Sequence, residues 1–458
     1  MKQSHKILML LFVVSVMARY PFMAQTTDDA FITYRYAENI AAGLGFVYNP
    51  GEHILGVTTP LYTLILAFCA LIGLKPMLVG PLLNVIADSL VAPILSRRPH
   101  ADRLMLAPTL YALSPMNAFW SASGMETGLF CCAIALALYF YEKEQLTASA
   151  AISAIAVLIR IDAGLLVLVL FVHHLFRRRK MPWLSMLIMV LILAPWTIFA
   201  GLYFGNPIPQ SVFAKAALPK TGLFDAIVNI LIKGFFHPGT PIGALLLISA
   251  ACAIFWARRE LFSAWSFFAA AYILAYTLTR SQLHPWYYPP ASIGYLPLAA
   301  AGLSGMFQLQ RLRRLAPIAF SLLAAASLFG ILRMYQRDLK ESVALGAFLH
   351  STGSAVGHIA PAGSTLFIKD IGYLGYYSHL RVDDFAGLIT PALVGYRARL
   401  DFIGAIRHVQ SDYLLLASDI ASRLEADGWF TSSYETAEIF RSDQRRMVLY
   451  RRIGSRNR

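Results

Sequence analysis

Long apolar runs fill the first three quarters of the chain, and short polar or basic stretches separate them. A run of about 18 or more apolar residues is long enough to span a bilayer. Backbone groups in lipid must be satisfied within the segment, so such runs are expected to be helices. Ile7–Ala24 is the first run and follows Lys2 and Lys6. Tyr20-Pro21-Phe22 provides no small-residue cleavage site, so we expect an uncleaved span with a cytoplasmic start rather than a signal peptide. The polar stretch Gln25–Thr59 comes next, then apolar Pro60–Leu74 and Met77–Leu95.

Basic residues orient these runs, because cytoplasmic loops are enriched in Lys and Arg. If both Pro60–Leu74 and Met77–Leu95 crossed, Arg97, Arg98 and Arg103 would fall outside. If Pro60–Leu74 lies along the outer surface instead, all three fall in the cytoplasm and every later loop agrees. Leu104–Phe119 then exits, Thr127–Tyr141 returns to Glu142-Lys143-Glu144, Ala148–Ile159 exits, and Ala163–Phe176 returns to Arg177–Lys180. Trp183–Phe204 exits and Ile242–Trp256 returns to Arg258 and Arg259. Leu261–Leu278 exits, Tyr288–Phe307 returns to Arg311, Arg313 and Arg314, and Leu315–Leu332 exits. The pattern predicts about eleven spans. The expected class is an α-helical polytopic membrane protein, with a membrane domain over residues 1–334 and its first outer loop at 25–76. Tyr335–Arg458 reads as a small extracytoplasmic α/β domain. Its expected strands are Thr365–Ile368, Tyr413–Ala417 and Met447–Tyr450, and its expected helices Ala392–Val409 and Ser418–Ala426. No internal repeat is visible.

Composition agrees with this reading. The 458 residues are 57% hydrophobic and only 14% charged, against about 25% charged in soluble domains. The formal charge of +14 lies mostly in short loops between apolar runs. Topology therefore accounts for it better than nucleic-acid binding does. Cys69, Cys131, Cys132 and Cys252 all sit in apolar runs without metal-ligand or disulfide spacing. They read as small packing residues.

The polar groups that topology does not require all land on the outer side. They are Asp28-Asp29, Gly124-Met125-Glu126-Thr127, Arg160-Ile161-Asp162, Phe204–Lys215 and His284-Pro285-Trp286-Tyr287-Tyr288. Ionisable groups at a membrane boundary read as functional by default. The acid pair suits a general base or a cation site, but equally a helix N-cap. Gly43, Gly45, Asn49, Pro50 and Gly51 mark turns in a long loop. Arg160 and Asp162 either pair with each other or leave Arg160 for a phosphate. Lys215 suits a phosphate or a lipid headgroup. The Trp-Tyr run is an interfacial belt or a sugar platform, with His284 and Arg280 near phosphate. No Gly-rich nucleotide loop is present.

The segment Asp28-Asp29-Ala30-Phe31-Ile32-Thr33-Tyr34-Arg35-Tyr36-Ala37-Glu38-Asn39-Ile40 is followed by Gly43, Gly45, Val47, Asn49-Pro50-Gly51-Glu52, Gly56 and Thr58-Thr59-Pro60-Leu61. Together they resemble the first outer loop of GT-C fold glycosyltransferases, most of all the branch containing mycobacterial terminal arabinofuranosyltransferases. The other outer clusters resemble further motifs of that branch, as do Asp370–Tyr377 and Asp383–Leu388. The resemblance implies a polyprenyl-phosphate sugar donor, a cell-envelope glycan or lipid acceptor, and a site outside the inner or plasma membrane. It implies Asp28 or Asp29 as base, with Arg160, Lys215, Arg280 and His284 near the donor phosphate. Glu126, Asp162, Trp286 and Tyr287 would shape the pocket, with Arg35 and Tyr288 among the binding residues. No cofactor is implied, and a divalent cation stays open. The chain departs from the pattern at Ile161, where relatives commonly have Pro, and its C-terminal domain is shorter than in the arabinan enzymes. The rival class is a transporter or flippase of lipid-linked sugars, which calls for mid-span charges and repeated halves. We read neither in the sequence. A scaffold protein would not need acids and aromatics gathered on one side.

Overall fold

The computed structural model describes residues 2–98, 105–230, 258–280, 284–307, 313–443 and 445–454. Among these, four helices are long and apolar enough to cross a membrane: His5–Ala24, Pro76–Ser96, Trp183–Phe204 and Ala316–Ile359. Pro60–Leu71, Thr127–Glu142, Leu146–Ile159 and Ala264–Thr279 are apolar but shorter. The expected run Ile242–Trp256 lies outside the described residues.

The helices most relevant to the site are α1 (Lys2–Arg19), α2 (Asp28–Ala41), α3 (Pro60–Leu71), α4 (Pro76–Ser89), α5 (Val91–Ser96), α6 (Leu106–Ala112) and α7 (Pro115–Ser121). They are followed by α8 (Thr127–Glu142), α9 (Leu146–Ile159), α10 (Gly164–Arg178), α11 (Trp183–Phe204) and α12 (Gln210–Ala216). Two of them differ from expectation. The apolar run expected as one span over Leu104–Phe119 is broken into α6 and α7. Pro115, which has no N–H, takes the first position of α7, and the Ser114 hydroxyl accepts from Asn117 N at 3.4 Å. A hydropathy pattern does not register such a break. The polar stretch after α1 is not an irregular loop at its start but the helix α2. Thr27 stands extended before it, and Asp28 and Asp29 occupy its first turn, where the helix dipole favours acids.

The bundle also contains a buried charge pair that the sequence reading did not register. Arg19 at the end of α1 meets Asp88 of α4 at 2.6 Å, and both are buried. Tyr111 donates to the same carboxylate at 2.7 Å, while Arg19 also donates to the carbonyls of Ser15 and Ala112. This closed network satisfies both charges, which is the condition for burying them. At the far end of α8, Arg98 bridges Glu142 at 3.1 Å and Glu260 at 2.6 Å.

The helix Ala316–Met334 continues through a π-helical turn, Tyr335–Leu339, into Lys340–Ile359 and so carries the chain into a five-stranded sheet. Its strands are β1 (Thr365–Ile368), β2 (Arg381–Asp384), β3 (Tyr413–Ala417), β4 (Tyr434–Arg441) and β5 (Arg446–Arg452), in the order β2-β1-β3-β5-β4. β1 runs parallel to β2 and β3, and β5 is antiparallel to β3 and β4. The three expected strands are present. The two missed ones, β2 and β4, are the edges, where polar residues are tolerated and the apolar signal fades. The helix expected over Ala392–Val409 is interrupted. Leu400 adopts a left-handed φ of 56°, and the Asp401 side chain accepts from Gly404 N at 2.7 Å to restart the helix.

The first loop packs directly on this sheet. Tyr34, Tyr36, Tyr48 and Tyr62 share one core with Leu366, Ile368, Val382 and Leu415. Asn49 donates to Val382 O at 2.9 Å and accepts from Val382 N at 3.0 Å, so its amide pairs with edge strand β2 as a backbone would. Arg35 donates to the carbonyls of Tyr48 (3.0 Å), Leu380 (2.7 Å) and Gly375. The positive φ angles of Gly43, Gly45 and Gly51 make the turns that fold the loop back.

Candidate active site

The first turn of α2 is where the loop, the sheet domain and the bundle meet. Asp28 faces the sheet domain. One of its carboxylate oxygens accepts from Gly372 N at 3.1 Å and the other from Tyr373 N at 2.8 Å. The approach is close enough that a Cβ on Gly372 would stand 1.9 Å from Asp28 O. Burial, then the neighbouring charges of Asp370 and Asp29, push the Asp28 carboxyl up to about 7, against the pull of its two N–H donors. Phe31, one turn along α2, packs its ring 4.0 Å from that of Tyr373.

The Asp29 carboxylate has no hydrogen bond or ion pair among the described residues. Burial raises its pKa, Lys215 and His284 lower it, and Asp370 raises it. Asp29 thus sits in the fields of two cationic groups, Lys215 and His284, and of the acid Asp370.

The cations belong to a connected group. Arg160 follows α9, is buried, and makes two hydrogen bonds to Asp162, at 3.0 and 2.8 Å. Glu126, before the first turn of α8, lies 3.7 Å from it. Tyr276 and Tyr272, one turn apart on the helix Ala264–Thr279, donate to Asp162 at 2.6 and 3.2 Å. The guanidinium lies 4.8 Å from the centre of the Tyr287 ring, whose hydroxyl is 3.2 Å from Lys215 Nζ. Arg160 and Asp162 therefore do pair, yet Arg160 Nη1 is buried with no hydrogen-bond partner among the described residues. An unsatisfied guanidinium nitrogen is costly unless an anion completes it. His284 stacks on Trp286 at 4.4 Å with planes 4° apart, which fixes its ring beside this group.

The structure thus brings together Asp29, Glu126, Arg160, Asp162, Lys215, His284, Trp286 and Tyr287. Arg35 stands apart, with its guanidinium committed to three carbonyls under the sheet domain. Arg280 is exposed at the end of its helix, where its carbonyl accepts from Thr221 N at 3.1 Å. The Tyr288 hydroxyl is buried without a partner among the described residues. Tyr272 and Tyr276 were not anticipated from the sequence, although their i, i+4 spacing at the end of an apolar helix was a usable signal.

Two cavities bear on the chemistry. One of about 650 Å³ opens beside Asp28 and Asp29, under the helix that enters the sheet domain. Another, of about 590 Å³ between α9, α10 and α11, is lined almost wholly by apolar side chains and contains no acid.

The comparisons with known proteins concern the fold. ArnT from Cupriavidus metallidurans, in a crystal structure with undecaprenyl phosphate bound, is 16% identical with a TM-score of 0.62, covering 96% of this chain and 97% of that one. Its apo structure gives 15% and 0.65, with 98% of each chain covered. The Archaeoglobus fulgidus oligosaccharyltransferase is 14% identical with a TM-score of 0.56, over 91% of this chain and 70% of that one. The mycobacterial arabinofuranosyltransferase AftD gives 14% and 0.54, over 97% of this chain and 40% of its own length. The chain shares their fold, the GT-C fold of membrane glycosyltransferases that its first loop led us to expect. A family model described as a domain of unknown function (DUF8728) matches residues 334–450. No curated protein matches by sequence.

Proposed function

We propose that this protein is an integral membrane glycosyltransferase that moves a sugar from a polyprenyl-phosphate donor to a glycan or lipid acceptor on the extracytoplasmic face. The fold supports the class, since a structure of the same fold carries undecaprenyl phosphate. The observation that carries the reading is an uncommitted carboxylate, Asp29, in the field of Lys215 and His284, where Lys215 is linked through Tyr287 to Arg160, whose buried Nη1 has no hydrogen-bond partner among the described residues.

The geometry divides the labour between the two acids. Asp28 has both oxygens occupied by backbone N–H groups, so it clamps the domain and orients its neighbour. Asp29 is the base. It takes the proton of an acceptor hydroxyl as that oxygen attacks the anomeric carbon. The bond from that carbon to the phosphate oxygen breaks, the configuration inverts, and the electron pair leaves with the polyprenyl phosphate. Charge gathers on the phosphate in the transition state, and Arg160 and Lys215 stabilise it there. Asp162 and Tyr287 hold these two cations in place, a positioning task that the short contacts favour. His284, fixed on Trp286, adds a donor on the same side.

The test is transfer by the purified full-length protein from a panel of polyprenyl-phosphate sugars to cell-envelope glycan extracts. Asp29→Asn should abolish transfer while leaving the protein folded. Full transfer by that variant would overturn the assignment.

A further inference from the structure

The cavity of about 650 Å³ beside Asp29 has neither Arg160 nor Lys215 among its described walls. Its described walls carry five acids, Asp28, Asp29, Asp338, Glu341 and Asp443, and one base, Arg445. Its floor is aromatic. Trp120 of α7 and Trp286 both line it, with ring centres 5.5 Å apart and planes at 59°. Trp120 is only partly covered. The acids of the far wall come from a particular irregularity. The π-helical turn Tyr335–Leu339 inserts an extra residue just where the helix passes the cavity. It brings Asp338 and, one turn on, Glu341 and Ser342 to the same wall. Such turns interrupt a helix at a cost and are frequent at functional sites.

From this lining we infer that the cavity is the acceptor subsite, and that it selects a glycan end that is neutral or bears an amino group and excludes one bearing a carboxylate or phosphate. The inference rests on the reading of Asp29 as base, because the acceptor hydroxyl must reach that carboxylate. A sugar presents a weakly polar C–H face that suits indole, and hydroxyls or ammonium groups that suit carboxylate acceptors. An anionic sugar would meet like charges there, which disfavours it against a neutral or cationic one. The site would therefore separate its substrates by charge, with the anionic donor head beside Arg160 and the acceptor beside Glu341 and Asp338. Among the described residues Glu341 has one ion-pair contact, at 3.7 Å with Arg337, and both are well exposed, so the pair is weak.

The experiment is saturation-transfer NMR on the full chain in nanodiscs with three probes: maltotriose, the trimer of glucosamine and trigalacturonate. Maltotriose and the glucosamine trimer should both saturate, and trigalacturonate should bind at least tenfold more weakly. Trp120→Ala should remove saturation by all three. Glu341→Lys, at an exposed position where folding is not at risk, should narrow the gap between trigalacturonate and maltotriose to within threefold and weaken the glucosamine trimer. Equal binding of trigalacturonate and maltotriose to the unmodified protein would overturn the inference. So would an unchanged ratio in Glu341→Lys, or no saturation by any probe. The readout does not require turnover. Transfer that survives Asp29→Asn would therefore refute Asp29 as the base, and with it the acceptor role of the cavity, while leaving its charge selection standing; equal binding of the probes with transfer lost in Asp29→Asn would refute the charge selection alone.

Discussion

Replacing Asp28 and Asp29 separately with Ala should produce two different kinds of damage. Asp28→Ala strands the N–H groups of Gly372 and Tyr373, which now donate to its carboxylate at 3.1 and 2.8 Å. A buried donor left without an acceptor costs about 1–3 kcal/mol, so the pair should cost roughly 2–6 kcal/mol. The loss should be local, seen as faster hydrogen exchange over residues 371–378 and a lower midpoint of thermal unfolding. Transfer should survive, within about tenfold, at temperatures where the sheet domain stays docked. Asp29→Ala strands nothing, because its carboxylate holds no donor among the described residues. It should leave unfolding within about 0.5 kcal/mol of the parent, and transfer should fall by roughly 10²–10⁴, the usual worth of a positioned base. Exchange, thermal unfolding and single-turnover transfer can be run on the same preparations. If Asp28→Ala abolished transfer with unfolding unchanged while Asp29→Ala stayed active, the roles assigned here would be reversed.

Further outcomes follow from the same contacts. Burial holds the Asp29 carboxyl above its ordinary 3.8 and Lys215 draws it back. If Asp29 acts ionised as the proposed base, the rate should fall as pH drops through this raised value, and Lys215→Ala should move that acid limb to higher pH; an unmoved limb would refute the electrostatic link. Arg160→Ala leaves Glu126 and Asp162 unpaired and should cost about 3–5 kcal/mol. Arg160→Lys should keep most of that stability yet raise the KM for the donor more than for the acceptor. Arg35→Lys gives up part of a three-carbonyl clasp and should lose about 2 kcal/mol, read as proteolytic release of the sheet domain without a change in donor KM. Cysteines at Ser96 and Asn206 should react from the cytoplasmic and the outer side respectively, and the opposite labelling would invert the proposed orientation.

The sequence made the class and the fold readable because both rest on strong, redundant signals. Apolar runs recur, and the first-loop motif contains turn glycines whose positive φ angles the structure requires. The core strands β1 and β3 were legible from their apolar runs, whereas β2 and β4 were not, because an edge strand can be as polar as a loop. Adjacency in space was the main thing concealed. Asp28 and Asp29 are neighbours in sequence, and nothing local tells which of them accepts from the sheet domain and which is left uncommitted. The distinction appears only when Gly372 arrives from 344 residues away. Asp162 looked like a partner for Arg160 and is one, but the two tyrosines that complete it lie on another helix. Asp88 was passed over inside an apolar run, since its counter-charge Arg19 sits at the end of a different helix.

The clamp between Asp28 and the Gly372–Tyr373 backbone also ties two distant parts of the chain into one folding event. The first turn of α2 forms from local sequence, but its Asp28 carboxylate gains these two donors only when a segment 344 residues further along docks on it. Synthesis of the two halves as separate polypeptides would therefore leave the first turn of α2 incomplete until they reassociate.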